Sequence, residues 1–346
     1  MYGIIGEQGV SSMSGKHLLE VKDIRVVFPG KKGEFAAVDG VTFHLDQGEI
    51  LCIVGESGSG KTMTGLSVLG LLPEQARVAA GTVRYQGREL LGLSEQEMYG
   101  IRGKEISMIF QDPMVSLDQV FTVGSQLVEA IRVHTKMDKR SAVELSLEML
   151  DKVRIPNPER VFGSYPFELS GGMCQRVMIA IALCCHPKVL IADEPTTALD
   201  ATVQAQILEL LVELRDATHI GIILITHDLD IVKGMADRII VMYAGKMMEM
   251  GTRQDVFSNP LHPYTQGLLK CVPTLDMPEG FRLYNIEGIV PDIQDMPEGC
   301  RFCTRCPRAE EECCIVQPEL REIAPGHFVS CLKVDEVSEV KAGWAQ

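Results

Sequence analysis

The chain has 346 residues, 46% of them apolar, and a formal net charge of −14. That length holds one large domain with an appendage, or two domains, and the apolar share is enough for a sizeable core. An acidic surface repels phosphate backbones and anionic lipid, which argues against a nucleic-acid binder and against direct attachment to a membrane surface.

Residues Met1 to Lys16 are rich in Gly and Ser, are short of basic residues and have no long apolar run, so they read as a loose leader rather than a signal peptide. Leu18 to Val27 alternates apolar and polar residues, the pattern of a half-exposed strand. Phe35 to Leu45 and Gly81 to Tyr85 continue that style, which predicts a small antiparallel sheet. Ile50 to Val54 is apolar and partly β-branched and reads as a buried strand. It runs into Gly55-Glu56-Ser57-Gly58-Ser59-Gly60-Lys61-Thr62, a complete phosphate-binding loop. The glycines let successive backbone N–H groups turn onto phosphate oxygens, and the start of the following helix adds partial positive charge. Lys61 would reach the β- and γ-phosphates, and the Thr62 hydroxyl would bind Mg²⁺. Thr64, two residues further on, is counted with the nucleotide-binding residues. The helix is expected to run from Lys61 to Leu72 and to stop at Pro73.

Met114 to Tyr165 changes to helical periodicity, with Leu127, Ala130, Ile131, Leu145, Leu147 and Leu150 as its apolar marks. Leu169-Ser170-Gly171-Gly172-Met173-Cys174-Gln175-Arg176 places a Ser and two glycines before an apolar helix, the form of an anion-binding helix start. The most apolar stretch, Val177 to Ala192, is broken by His186-Pro187-Lys188, so it reads as a buried helix followed by a buried strand, not a membrane span. Val189 to Glu194 is an apolar strand ending in two carboxylates, the form of a Walker B strand. Asp193 would hold Mg²⁺, and Glu194 would polarise the water that attacks the γ-phosphate. General-base assistance of that kind contributes about 10²–10⁴-fold. After it come a helix over Val203–Asp216 and strands over Ile220–Thr226 and Ile239–Tyr243. The expectation is an α/β fold, a predominantly parallel sheet with helices on both faces.

No segment looks transmembrane, so a cytoplasmic address follows. There thiols stay reduced, and the 11 cysteines are expected not to form structural disulfides. Six of them fall between Cys300 and Cys331, after prolines become frequent at about Tyr264. Such density among reduced thiols points to a metal, either zinc or an iron–sulfur cluster. Cys303-x-x-Cys306 alone has the form of half a zinc site.

The order of these motifs resembles the nucleotide-binding domain of ABC transporters, a P-loop NTPase fold with an antiparallel β subdomain and a helical subdomain. Residues 169–176 resemble the family signature and Phe110-Gln111-Asp112-Pro113 its Q-loop. Thr197-Ala198-Leu199-Asp200 resembles the D-loop, and Ile225-Thr226-His227-Asp228 the switch-histidine strand. The resemblance runs from about His17 to about Leu269. It implies ATP and Mg²⁺ as ligands and an ATPase working as a head-to-tail pair. Ser170, Gly171, Gly172 and Asp200 of one subunit would close over the phosphates held by Lys61 of the other. Gln111 would sense Mg²⁺ and the attacking water and link the site to the membrane partner. Glu194 and His227 would complete the hydrolytic arrangement, and Phe28 would stack on adenine. Cys174 departs from the family pattern, which usually has a polar or basic residue there. Domain bounds follow: a leader over 1–16, the ATPase domain over 17–265 with its helical subdomain at about 113–170, and a Cys-rich module over 266–346.

Asn259-Pro260-Leu261-His262-Pro263-Tyr264-Thr265 and the run from Pro297 through Cys313 resemble importer ATPases of the oligopeptide, dipeptide and nickel group. In some members the tail module holds a [4Fe–4S] cluster, and carried over by spacing its ligands are Cys300, Cys306, Cys313 and Cys331. Cys303 and Cys314 fall outside that pattern and leave zinc through Cys303 and Cys306 open. The resemblance implies further partners: a second ATPase, identical or different, two membrane permease subunits and a periplasmic or extracellular solute-binding protein. The place would be the cytoplasmic face of the membrane, peripherally attached. A soluble ABC ATPase acting on DNA or ribosomes is the rival from another class. Against it stand the acidic charge, the single set of motifs, and roughly a hundred residues without heptads between phosphate loop and signature.

Overall fold

The computed structural model describes residues 17–30, 33–197, 199–272 and 284–334. The leader, Ala198 of the D-loop and parts of the tail lie outside the described residues. β1 (Leu19–Gly30) pairs antiparallel with β2 (Gly33–Leu45), Phe28 opposite Phe35. β3 (Ile50–Val54) leads through the phosphate loop into α1 (Lys61–Leu69). That helix ends before the expected Leu72. Gly70 takes the left-handed conformation (φ 61°) and its N–H caps Leu66 and Ser67, so a glycine cap closes the helix before Pro73 can. β4 (Arg77–Tyr85) returns to the free edge of β1 and β5 (Arg88–Glu89) follows, completing a four-stranded antiparallel sheet in the order β2-β1-β4-β5.

After α2 (Glu95–Tyr99) and β6 (Ile106–Ile109) comes the helical block: α3 (Pro113–Ser116), α4 (Val123–His134), α5 (Lys139–Lys152) and α6 (Pro158–Gly163). Leu127, Ile131 and Leu150 are buried there, as their helical spacing requires. The chain then alternates through α7 (Gly171–Leu183), β7 (Val189–Asp193), α8 (Ala201–Thr218), β8 (Gly221–Thr226), α9 (Leu229–Met235), β9 (Arg238–Tyr243) and β10 (Lys246–Thr252). Helices α10 (Arg253–Ser258), α11 (Pro263–Lys270) and α12 (Glu311–Ile315) and the hairpin β11 (Arg321–Ala324)–β12 (His327–Val329) complete it.

The second sheet has the order β11-β12-β10-β9-β3-β8-β7-β6. From β9 to β6 all pairings are parallel, as expected; β10, β12 and β11 continue it antiparallel. The described part of the Cys-rich tail joins this sheet. Its hairpin extends the central sheet.

The parallel strands alternate between two cores, because successive side chains of a strand point to opposite faces. Ile50, Cys52, Val54, Leu190, Ala192, Ile222 and Leu224 join the core shared with α7 and the helical block. Leu51, Ile53, Val189, Ile191, Ile223 and Ile225 join the core under the antiparallel sheet and α1. Runs apolar at every position are what such two-sided burial demands. Among the described residues no helix is long and apolar enough to cross a membrane.

Candidate active site

The site lies at the C-terminal ends of β3, β7 and β8. In a parallel sheet these ends open together into one crevice, and residues far apart in sequence meet there. The phosphate loop needs glycine for close approach as well as for backbone freedom. Gly55 has φ 152°, and a Cβ there would stand 2.1 Å from the Met242 carbonyl; at Gly60 (φ 93°) it would stand 2.5 Å from that of Ala37. Lys61 Nζ folds back and donates to the carbonyls of Gly55 (2.7 Å) and Glu56 (3.0 Å), with Ser59 Oγ at 3.5 Å. Burial pulls the Lys61 pKa down, opposed by the carboxylates Glu194, Asp193 and Glu56.

Thr62 Oγ1 donates to Asp193 Oδ1 at 3.1 Å. A hydroxyl beside a carboxylate at the foot of a phosphate loop is a hard-oxygen pair suited to Mg²⁺. Thr64 instead donates to Gly60 O at 3.0 Å and stabilises the first helical turn. β7 ends at Asp193, and Glu194 does not continue it: it turns out of the strand with φ 45°, and its N–H donates to Ile225 O on β8 at 2.8 Å. This departs from a strand ending in two carboxylates, and it separates their environments. The Glu194 carboxylate accepts from Gln111 Nε2 (2.9 Å) and Thr197 Oγ1 (2.9 Å), and His227 Nδ1 lies 3.1 Å from it. Burial presses its pKa upward, but the hydrogen bonds of His227 and Thr197 and the charges of His227 and Lys61 outweigh burial and hold it below the usual value. Asp193 is pushed the other way, chiefly by burial and then by the Glu194 charge, against its bond to Thr62 and the charge of Lys61. Two adjacent carboxyls pushed apart in pKa fit two different tasks.

Asp112 caps α3 with Pro113 at its first position, which fixes the turn that presents Gln111. Asp228 caps α9 just after His227 and accepts from Gln204 of α8. Ser170 caps α7, accepting from Met173 N at 3.3 Å, and Asp200 caps α8 through Thr202 N and Val203 N. Ser170 and Gly171 are exposed, and a side chain at Gly172 would come within 2.7 Å of Val203 on α8. The signature thus faces outward beside the D-loop cap. Cys174 does not face that surface. It is fully buried, with its Sγ–H donating to Pro166 O at 3.3 Å, so the departure from the family pattern falls on a packing position. Phe28 is partly buried and stacks on Phe35, ring centroids 5.7 Å apart.

A family model described as "ABC transporter" matches residues 38–197, and one described as "Oligopeptide/dipeptide transporter, C-terminal region" matches residues 248–313. The oligopeptide transport ATP-binding protein OppD of Escherichia coli is 50% identical over 91% of this chain and 93% of its own length. The chain belongs to the ABC transporter ATPase family. The dipeptide transport ATP-binding protein DppD of Bacillus subtilis is likewise 50% identical, over 93% of this chain and 96% of the relative. The solved structure of the ATP-binding cassette MJ0796, a dimer in a post-hydrolysis state bound to ADP and Pi, superposes with a TM-score of 0.62 at 25% identity. That match covers 68% of this chain and 98% of the other. ATP and Mg²⁺ are the ligands of such an ATPase.

The tail differs from expectation in one respect. Cys303 and Cys314 are joined by a disulfide, S–S 2.30 Å, although no structural disulfide was expected. A 5.6 Å Cα–Cα distance brings the two thiols together, a proximity that their separation of eleven positions does not announce. Bonded to each other, neither serves as a metal thiolate, which removes zinc through Cys303 and Cys306. Cys300, Cys306, Cys313 and Cys331 line one cavity with His262. Burial pushes the Cys300 thiol up to about 11, helped by Cys306, Cys331 and Cys313, and Cys306 and Cys331 are raised by the same causes. Four sulfurs, Cys313 buried and the other three partly so, that repel one another as thiolates are a donor set that a cationic group would satisfy. Among the described residues, no three of these sulfurs lie within 4.8 Å of one another.

Sequence reasoning missed Thr197 as a partner of Glu194. It also missed Tyr243, Tyr264 and Arg305, which gather around Glu56. Tyr264 and Arg305 lie inside recognised segments, but nothing in the string pairs them with the phosphate loop.

Proposed function

We propose that the chain is the ATP-hydrolysing subunit of an importer of dipeptides and oligopeptides. The carrying observation is the second family match, over residues 248–313, together with relatives of both peptide classes aligned over more than nine-tenths of this chain. Two ATPase units would pair head to tail around ATP. Lys61 and the loop of one would hold the phosphates, Thr62, Asp193 and Gln111 the Mg²⁺, and Phe28 the adenine. The partner's Ser170, Gly171, Gly172 and Asp200 would close the site, and Glu194 with His227 would direct the attacking water. The outward-facing signature and the dimeric relative support that pairing. Residues 17–265 would be the ATPase unit, on the cytoplasmic face of the membrane and held there by permease subunits. Exposed apolar side chains in and just after the helical block, Val115 at 82% with Val120, Phe121 and Phe167, support such docking. A solute-binding protein would deliver the peptide.

In the tail, Cys300, Cys306, Cys313 and Cys331 would hold a [4Fe–4S] cluster, which would tie the segment together. Protein prepared without oxygen should absorb broadly in the visible and carry about four irons per chain; stoichiometric zinc in a colourless sample would overturn this. The transport reading is tested in proteoliposomes containing the cognate permeases and binding protein. ATP-driven uptake of labelled di- or tripeptides supports it. Uptake of nickel without peptide, or co-purification with ribosomes in place of membrane subunits, would refute it.

A further inference from the structure

Glu56, the second residue of the phosphate loop, turns its side chain toward the tail. Arg305 grips it with both arms, Nη1 donating to Oε2 at 2.6 Å and Nη2 to Oε1 at 3.1 Å. The Glu56 N–H donates to Tyr264 Oη at 2.9 Å, and its carbonyl accepts from Lys61. One loop residue is therefore held at N–H, carbonyl and carboxylate together. Two of these three holds come from beyond residue 260.

Arg305 is itself fixed. Its side chain is only 5% exposed. It donates to Tyr243 Oη (3.3 Å) and to Glu287 O (3.1 Å), and its guanidinium lies 5.7 Å from the Tyr243 ring centre. Next to it Tyr243 packs edge to face on Tyr264 and Phe302 at 4.8 and 5.2 Å, Tyr264 and Phe302 meet tilted at 5.2 Å, and all three rings are fully buried. Arg305 ends the tight turn Cys303–Arg305, and the cysteines on either side of it in that segment, Cys303 and Cys306, line the thiol cavity. A bidentate arginine–carboxylate pair adds directional restraint as well as energy, and Lys cannot reproduce its fork.

We infer that Arg305 and Tyr264 are positioning residues for ATP binding: through Glu56 they hold the phosphate loop in its cradle, and the cysteine pocket is the mount that aims Arg305. Neither touches nucleotide. Without the strap the loop spends part of its time in conformations that cannot bind, and the apparent Kd rises by the inverse of the competent fraction. At saturating ATP the competent form is recovered, so turnover is spared.

The test measures MgATP binding by equilibrium dialysis, and KM and kcat separately, in the full chain. Arg305→Gln is expected to raise Kd and KM about tenfold, with kcat at saturation within about twofold of the parent. Arg305→Lys should fall in between. Glu56→Gln should raise Kd to a similar extent, and the double variant should be no worse than the poorer single one, because one contact is lost in all three. Kd unchanged within twofold in folded Arg305→Gln, or fully additive effects, overturns the inference. If Arg305→Gln does not fold, Glu56→Gln on the ATPase side decides alone, and an unchanged Kd there overturns it. Lys61→Ala reports separately on whether this loop holds ATP at all.

Discussion

The nucleotide site and the tail meet at Glu56, but they are held together in different ways. Every reactive group of the site stands within a few residues of the end of a buried parallel strand. Lys61 and Thr62 follow β3 across the phosphate loop, Asp193 ends β7 with Glu194 just beyond it, and His227 follows β8. Among the described residues the tail adds only the antiparallel hairpin β11–β12 to the sheet. Polar contacts over long sequence distances also pin it: Arg301 to Asp39 at 2.9 Å, the Arg305 fork to Glu56, His327 Nε2 to Glu249 at 2.8 Å, and Ser330 N to Met248 O at 2.8 Å. Packed strand ends give chemistry a rigid base. Individual buried ion pairs give register and aim, with less net stability because both charges were desolvated to make them.

The sharpest break between the two regions is Glu194→Gln. Hydrolysis should fall by about 10²–10⁴-fold while ATP stays bound, measured as phosphate release against nucleotide retention. A wild-type rate would show that this carboxylate is not the base. Lys61→Ala should lower hydrolysis by about 10²–10³-fold by removing a donor to the phosphates. Its thermal unfolding without nucleotide should stay close to the parent, since the tail contacts are untouched.

Glu249 tests the tail from within. It is fully buried and accepts from Leu261 N (2.8 Å), His262 N (2.8 Å) and His327, joining β10, the segment before α11 and the hairpin. Glu249→Ala leaves buried donors without an acceptor and should cost about 3 kcal/mol, read as a lower urea midpoint at constant slope. An unchanged midpoint would mean that the hairpin is held by its strand pairing alone.

The smallest effect concerns pH. Because the folded Glu194 pKa is depressed, the carboxylate's contribution is present above its unfolded value and is lost only as pH falls through the lower folded value. The acid limb of hydrolysis should therefore lie below the ordinary glutamate range, about 4.3. His227→Gln removes the first of the influences that oppose burial, and the limb should move to higher pH. A limb that stays put would place the control elsewhere.

What could be read from the string was whatever a contiguous segment must do by itself. A phosphate loop needs consecutive N–H groups, glycines and a lysine within eight residues, and a two-sided buried strand needs an unbroken apolar run. Residues 55–62, the parallel strands and the helical block were legible for that reason. Even there, ends were set by local geometry that the pattern underdetermines, as at Gly70, which closes α1, and at Glu194, which leaves β7.

The remaining features depended on distance in space. The pairing of β12 with β10, the Cys303–Cys314 bond, the four thiols around one cavity and the grip of Arg305 on Glu56 join residues that no periodicity relates. Composition announced that the tail was unusual. Only packing decided which partner each of its side chains found, because a charge or a thiol carries no record in sequence of the neighbour that folding brings to it.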